Sequence, residues 1–178
     1  MSQIIKHSLE ALIHDLKKEP SKSAANFEAT TRLAENFKVN GVSRQFKFDF
    51  DEPEAIGGDD SAPNPVEYVL ATLGECQAIT YKIIASLKGI EIDTLTIKTK
   101  GNLDFQGFLG IDNNVRPGFL NVEYETTIGS DESFDKLVRL SQQVESLCPV
   151  LDVISNPVEV QSKVLLRNSE GTQALISN

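Results

Sequence analysis

Apolar positions recur at helical spacing near the start of the chain. In residues 1–18, five apolar side chains share one helical face, and lysine and acidic residues fill the opposite face. The apolar residues are Ile5, Leu9, Leu12, Ile13 and Leu16. This pattern predicts an amphipathic helix that must dock on another part of the protein. Residues 19–23 (EPSKS) break the pattern and predict a linker. We therefore predict an N-terminal helix and linker over 1–24 and a main domain over 25–178.

Two further helices are predicted in the main domain. From residue 65 to about 88 nearly every side chain is apolar or small, which is typical of a helix that is buried or lies in an interface. At about 1.5 Å per residue it would be about 36 Å long. Residues 131–147 predict a second helix with an apolar stripe, and Ser130 with Asp131 and Glu132 fits its N-terminal cap. The stripe consists of Phe134, Leu137, Leu140, Val144 and Leu147.

Strand patterns lie around these helices. Phe46, Phe48 and Phe50 alternate with charged residues, which predicts a strand with one buried face. Weaker signals predict further strands, and the glycine- and asparagine-rich stretch 104–118 predicts an excursion between strands. These further strands are expected around 27–33, 93–100, 120–128 and 158–166.

Composition narrows the function classes. The 178 residues suit one domain, and a net charge of −9 repels nucleic-acid backbones and anionic lipid surfaces. No apolar run is long enough for a membrane span, and the first residues do not form a signal-peptide core, so we expect a cytoplasmic location. His7 and His14 are expected on the surface, and the sequence indicates neither a metal nor a cofactor.

The two cysteines, Cys76 and Cys148, are too few for a secreted disulfide framework. They are either two buried small hydrophobic residues or a catalytic dithiol. Cys76 lies in the middle of the apolar helix, with Thr72 and Thr80 one turn away on the same stripe. Cys148 precedes Pro149, which could open a short helix whose N-terminus favours a thiolate at Cys148, whereas burial of Cys76 would raise its pKa.

Glu67 has a structural explanation and a functional one. Asn64, Pro65 and Glu67 occupy the positions of an N-cap residue, a first-turn proline and the glutamate of a capping box. Glu67 also lies nine positions before Cys76, half a turn away on the opposite side of the helix. Capping is therefore the favoured interpretation.

Two separated motifs resemble the OsmC/Ohr family. Residues 57–67 (GGDDSAPNPVE) and 70–76 (LATLGEC) are similar to its Gly-Gly loop and the long helix with the first cysteine. Residues 147–150 (LCPV), followed by Asn156 and Pro157, resemble its second-cysteine segment. The similarity covers residues 27–167 and excludes the N-terminal helix.

The resemblance implies an α+β fold of two layers, with antiparallel sheets packed around long central helices in an intertwined homodimer. It also implies thiol-dependent reduction of organic hydroperoxides in oxidative or osmotic stress defence. Cys76 would be the peroxidatic thiol, which becomes a sulfenic acid, and Cys148 the resolving thiol, which forms a disulfide that an external dithiol reduces. An apolar pocket beside the long helix would favour alkyl or lipid-like substrates.

The sequence departs from the family pattern around the first cysteine. The family has a glutamate directly after the helix-opening proline, paired with an arginine from an N-terminal Gly-Arg loop, but here Val66 holds that position and no Gly-Arg precedes residue 57. If the site is active, a basic side chain is expected beside Cys76, first Arg32 and then Arg44. Glu67 is a further candidate catalytic residue. The alternative is a non-catalytic protein that binds a small apolar or thiol-containing ligand at the dimer interface.

Overall fold

The computed structural model describes residues 2–169 and 171–177, with the side chains of 3–169 and 171–173. Helices and antiparallel strands are mixed along the chain, so the fold is α+β. The helices are α1 (Ser2–Lys18), α2 (Pro65–Lys88), α3 (Phe105–Phe108), α4 (Phe134–Leu147) and α5 (Pro149–Ser155). The strands are β1 (Thr30–Leu33), β2 (Val39–Ser43), β3 (Phe46–Phe50), β4 (Thr94–Leu103), β5 (Phe119–Gly129), β6 (Ser162–Asn168) and β7 (Gly171–Ser177). Short 3-10 turns occur at Pro20–Lys22 and Glu54–Ile56.

The strands form three antiparallel units. Strands β1, β2 and β3 make a sheet in that order, while β4 pairs with β5 and β6 pairs with β7. The β4–β5 ladder is the longest, running from Thr94 opposite Gly129 to Leu103 opposite Phe119, with one irregularity beside Asn102. This ladder is the sheet layer against which the central helix packs.

Helix α2 is the centre of the fold, and local sequence fixes both of its ends. The Asn64 side chain accepts a hydrogen bond from the Glu67 N–H, and the Glu67 carboxylate accepts one from the Asn64 N–H, each at 2.9 Å. Pro65 occupies the first turn, and Gly89 ends the helix in the left-handed conformation at φ 66°. The predicted capping box and the predicted span of the helix are therefore confirmed.

The core lies between α2, α4 and β4. Tyr81 and Ile84 of α2 pack with Leu140 and Val144 of α4, and Ile97 of β4 covers them from the sheet. The Tyr81 hydroxyl lies 2.9 Å from the Ser141 hydroxyl, so the buried polar end of the ring has a partner. Burial of this apolar stripe is what holds the helices on the sheet.

Helix α1 lies against α2. Ile5, Leu9 and Leu16 are partly covered, whereas Leu12 and Ile13 stay exposed. The predicted amphipathic helix is therefore present, and α2 is its docking partner within the chain. Both histidines of α1 are exposed, as expected.

The sheet β1–β2–β3 and the hairpin β6–β7 lie outside this core. A ring contact of 4.4 Å between Phe50 and Tyr68 joins β3 to the start of α2. Phe46 and Leu33 remain exposed, as do three consecutive apolar residues of β6, Val164 to Leu166. The expectation that β3 buries a complete face is wrong at Phe46, which is 53% exposed because only the Arg44 side chain lies over its ring in the described chain.

The sequence prediction for α4 needs correction. Helix α4 begins at Phe134 with Ser133 at its N-cap, so residues 130–132 precede the helix, and Phe134 is 86% exposed rather than part of the buried stripe. The predicted excursion between strands at 104–118 is confirmed, since it lies between β4 and β5, and it contains the short helix α3. Strand β2 was not predicted, because its sequence VNGVS contains a polar residue and a glycine that hide the alternation.

In the described part of the chain, no helix is both long and apolar enough to cross a membrane. Helix α2 has the length, but Glu67, Glu75, Lys82 and Lys88 interrupt it.

Candidate functional site

Cys76 lies in the middle of α2, partly buried, on a stripe with two threonines. The Thr80 hydroxyl donates a hydrogen bond of 2.8 Å to the Cys76 carbonyl oxygen and is itself only 7% exposed. Thr72, one turn earlier, is exposed. The helical spacing thus places Cys76 and both threonines along one side of α2, as predicted.

Cys148 forms the corner between α4 and α5. It ends α4, where its N–H donates to the Val144 carbonyl at 2.9 Å, and it is the N-cap of α5, where its carbonyl accepts from the Asp152 N–H at 3.0 Å. Its side chain is 1% exposed. Pro149 is the first residue of α5, so the predicted short helix is confirmed.

The fold brings the two cysteines together although 71 residues separate them in the sequence. Both are free thiols, and the side chains of Cys76 and Cys148 are within hydrogen-bonding reach of each other. Burial raises the pKa of the Cys76 thiol, and the adjacent Cys148 thiol raises it further. Cys76 in this environment is therefore mostly protonated near neutral pH.

Two donors act in the opposite direction on Cys76. The backbone N–H of Val150, in the first turn of α5, hydrogen-bonds the Cys76 sulfur and lowers its pKa, and the nearby Thr80 hydroxyl lowers it as well. The sequence suggested that the α5 N-terminus would assist Cys148. The structure instead directs the amide of Val150 at Cys76.

A pocket of about 370 Å³ opens beside Cys76. Its wall is mostly aliphatic, and Glu75 is its only charged lining residue among those described. The apolar wall consists of Ile79, Ile83, Ile84, Leu147 and Pro149. Such a lining excludes water from one side of the thiol and fits an apolar molecule.

The other predicted site residues lie elsewhere in the chain. Glu67 is engaged in the α2 capping box. Arg32 is exposed on β1 opposite Asn40, and Arg44 lies over the Phe46 ring at 5.0 Å in the turn between β2 and β3. No arginine or lysine lines the Cys76 pocket in the described chain. A single chain therefore brings together the two cysteines but not the predicted cation.

Sequence reasoning missed Asp51, which closes the loop before α2. Asp51 is buried and accepts hydrogen bonds from the Glu52 N–H at 2.8 Å and from the Ser61 N–H and hydroxyl at 3.1 and 2.6 Å. These donors, the Ser61 hydroxyl first, lower the pKa of Asp51 to about 2. In the same loop a Cβ on Gly58 would overlap the Glu52 carbonyl oxygen, so only glycine fits there.

No group of three or more potential metal ligands of the His, Cys, Asp and Glu types occurs among the described residues. What the site offers chemically is a pair of neighbouring thiols, one buried and one open to an apolar pocket.

The architecture defines an α+β protein with paired free cysteines at the junction of its long central helix and a short C-terminal helix. A family model described as OsmC-like protein matches residues 58–163, about three fifths of the chain. The chain belongs to the family of OsmC-like proteins.

Solved structures agree on the fold. An OsmC-like protein from Mycoplasma pneumoniae is 19% identical, with a TM-score of 0.65 over 75% of this chain and 89% of that one. An organic hydroperoxide resistance protein OsmC from Legionella pneumophila is 17% identical, with a TM-score of 0.58 over 77% and 94%. An OsmC-like protein of unknown function from Vibrio cholerae is 12% identical, with a TM-score of 0.59 over 76% and 96%. The search of curated proteins found no match.

Proposed function

We propose that this protein is a thiol peroxidase that reduces organic hydroperoxides, with a role in oxidative or osmotic stress defence. The observation that carries the proposal is the contact of two free thiols, Cys76 and Cys148, at the edge of an apolar pocket. Membership of the OsmC-like family supports it, as does the similarity to structures named for organic hydroperoxide resistance.

The two thiols account for the first two steps of the cycle. The Cys76 thiol loses its proton to water, its thiolate attacks an oxygen of the hydroperoxide and the O–O bond breaks, and the leaving alkoxide takes a proton from water to become the alcohol while Cys76 becomes a sulfenic acid. The Cys148 sulfur then attacks Cys76, a disulfide forms and water leaves. An external dithiol reduces this disulfide, returns both thiols and is itself oxidised to a disulfide. The sum is one hydroperoxide reduced and one dithiol oxidised.

Activation of Cys76 must overcome the burial that raises its pKa. The Val150 N–H and the Thr80 hydroxyl lower the pKa of Cys76 in part, and a nearby cation would lower it further. We propose Arg32 in that role, contributed by the exposed β1–β2–β3 sheet of a second copy. Glu67 would act as a positioning residue, because its cap fixes where α2 begins and thus the place of Cys76 along it.

We propose a homodimer because one chain leaves apolar surfaces open. Helix α2 exposes Val66, Val69 and Ile79 although it is the central helix, and Phe46 and Leu33 are uncovered on the β1–β2–β3 sheet. Apolar area of this kind is usually covered in solution. We propose that a second copy covers it, in the cytoplasm, where the two cysteines stay reduced between turnovers.

The test is turnover of cumene hydroperoxide with a dithiol such as dithiothreitol. We expect Cys76→Ser to abolish turnover, because it removes the attacking sulfur. The Cys148→Ser variant should convert one equivalent of hydroperoxide to alcohol and then accumulate sulfinic acid at Cys76, which is visible as a mass increase of two oxygens. Absence of turnover by the wild-type protein with several hydroperoxides and dithiols would contradict the proposal.

A second candidate is a binding protein for a small apolar or thiol-containing ligand. It is favoured by the raised pKa of Cys76 and by the absence of a basic side chain from the described pocket lining. Native mass spectrometry of the purified protein separates the two functions. A retained small molecule with both thiols reduced and no turnover supports binding, whereas an empty, active protein supports catalysis.

A further inference from the structure

A tyrosine of the sheet holds the end of the helix that carries Cys148. The Tyr124 hydroxyl on β5 donates a hydrogen bond of 3.0 Å to the carboxylate of Glu145, which lies in the last turn of α4, three residues before Cys148. Tyr124 is partly buried, and burial first and then Glu145 raise its pKa. The hydroxyl therefore keeps its proton and remains a donor near neutral pH.

The backbone hydrogen bonds of Cys148 do not fix its corner relative to the sheet. Both run to residues of α4 and α5, so they move together with the corner. The distance from Cys148 to Cys76 depends instead on what holds α4 against α2 and β5. Val144 packs into the core one turn before Cys148, and the bond between Tyr124 and Glu145 acts in the same last turn.

The same tyrosine approaches α2 beside the other cysteine. Gln77 directly follows Cys76 and is 1% exposed, and its side chain lies close enough to the Tyr124 hydroxyl to act on its pKa, in the lowering direction. Tyr124 thus stands between α2 at the first cysteine and α4 at the second.

We propose that Tyr124 is a positioning residue for the second step of the cycle, because its bond to Glu145 holds Cys148 within reach of Cys76. This inference rests on the proposed function and adds a residue to it. In that step the two sulfurs bond, the S–O bond of the sulfenic acid breaks, and the Cys148 proton leaves with the hydroxyl as water. A disulfide requires Cα atoms about 4.4 to 6.8 Å apart, so a loosened end of α4 spends less time in the reactive range.

The size of the effect follows from the freedom that the bond removes. Without the bond, the reduced protein has more positions of α4 to lose when the disulfide forms. We expect a disulfide that is less stable by about threefold to tenfold, the range for one hydrogen bond.

The first experiment measures the disulfide and needs no peroxide. The protein is equilibrated with mixtures of oxidised and reduced dithiothreitol, and mass spectrometry after alkylation gives the oxidised fraction. Oxidised dithiothreitol takes two electrons and two protons from the cysteine pair. Tyr124→Phe removes only the hydroxyl and should lower the equilibrium constant by about threefold to tenfold. The control, Tyr68→Phe, removes the same hydroxyl from the start of α2 beside Phe50 and should leave the constant unchanged.

Variants of Glu145 separate positioning from general stability. Glu145→Gln keeps an acceptor and should lie close to the wild type. Glu145→Ala should show the same fall as Tyr124→Phe, and the double variant should fall no further, because the same bond is lost in each case. Urea unfolding of the reduced proteins reports the purely structural part. An unchanged disulfide equilibrium in Tyr124→Phe and Glu145→Ala, with or without a lower urea midpoint, would overturn the inference.

A second experiment follows the step itself. After one equivalent of cumene hydroperoxide, dimedone traps the Cys76 sulfenic acid that has not yet formed the disulfide, and the trapped fraction should rise in Tyr124→Phe. If the dithiothreitol equilibrium shifts but the wild type turns over no hydroperoxide, the proposed function fails and the role of Tyr124 stands. If the equilibrium is unchanged while peroxide turnover is normal, only the role of Tyr124 fails.

Discussion

At the scale of single residues, the state of Cys76 depends on opposing neighbours. Burial and the Cys148 thiol raise its pKa, while the Val150 N–H and the Thr80 hydroxyl lower it. Thr80 also donates to the Cys76 carbonyl, so it orients the backbone of the residue whose sulfur it approaches. The thiolate population, and hence any thiol chemistry, is sensitive to each of these contacts.

Replacing Thr80 tests this balance. Thr80→Val keeps the shape and removes the hydroxyl, so the pKa of Cys76 should rise and its alkylation by iodoacetamide at pH 8 should slow by about fivefold, the equivalent of about 1 kcal/mol for one hydrogen bond. A pH profile of the rate should show the midpoint moved upwards.

Thr72→Val is the matched control, because Thr72 lines the same pocket but is absent from the groups that act on the thiol. It should leave the midpoint in place. A Thr80→Val profile that overlays the wild-type one would show that the hydroxyl does not act on Cys76.

The sequence identified part of this site. The threonines one helical turn from Cys76 could be read from spacing, whereas the pairing of Cys76 with Cys148 came from the resemblance of their two motifs to the OsmC/Ohr family. The role of Val150 could not, because a backbone N–H has no sequence signature and its direction depends on how α5 packs against α2. Asp51 was missed for a related reason, since an acid at the end of a strand is usually a solvated turn residue.

At the scale of elements, the loop between β3 and α2 depends on the Asp51 carboxylate. The pKa of Asp51 is lowered from 3.8 to about 2 by its hydrogen bonds, so the charged form is favoured in the folded protein. Its contribution to stability is present above pH 3.8 and is lost as the pH falls towards 2. We expect the urea midpoint of the wild type to fall over this window.

Asp51→Asn should lower the urea midpoint at pH 7 and remove this part of the pH dependence, because the amide does not titrate. Asp49→Asn, two residues earlier and exposed, is the control and should retain it. The measurement is urea unfolding at pH 7, 4, 3 and 2.5. If the urea midpoint of Asp51→Asn fell with pH in parallel with that of the wild type, another group would control stability in acid.

The packing of α4 on α2 gives a second prediction at this scale. Val144 is fully buried in the core, so Val144→Ala should lower the free energy of unfolding by about 2 kcal/mol through lost transfer energy and a cavity. Val138→Ala on the same helix removes the same atoms from an exposed position and should change it by less than about 0.5 kcal/mol. Equal losses at both positions would contradict the assigned burial.

Element prediction succeeded where periodicity was long and local signals agreed. Helix α2 has a proline and capping box at one end and Gly89 at the other, and its predicted bounds match. Strand β2 was hidden by Gly41, whose missing side chain makes room for the Phe48 ring of the paired strand. The start of α4 was placed too early because a serine with two acids resembles a cap, whereas residues 130–132 belong to the preceding turn.

At the scale of the whole molecule, the proposed dimer predicts the mass in solution. Analytical ultracentrifugation should give twice the 19.6 kDa of one chain. Val69→Asp puts a charge on the exposed apolar side of α2 and should shift the protein towards a monomer. Val138→Asp makes the same change at an exposed position on α4 and should not. A wild-type monomer at micromolar concentration would contradict the proposal.

The division of the chain into residues 1–24 and 25–178 stays a prediction. Helix α1 lies against α2, and the family match begins only at residue 58. Sequence patterns could not show this contact, because an amphipathic stripe indicates that a helix docks but not where.

The β6–β7 hairpin has a consequence for handling the protein. Each of its strands is paired on one side only within the described chain, and β6 exposes Val164, Leu165 and Leu166. Open strand edges beside apolar side chains are templates for aggregation. A chain kept monomeric by mutation therefore leaves these edges open, and heating it should yield insoluble material before reversible unfolding can be measured.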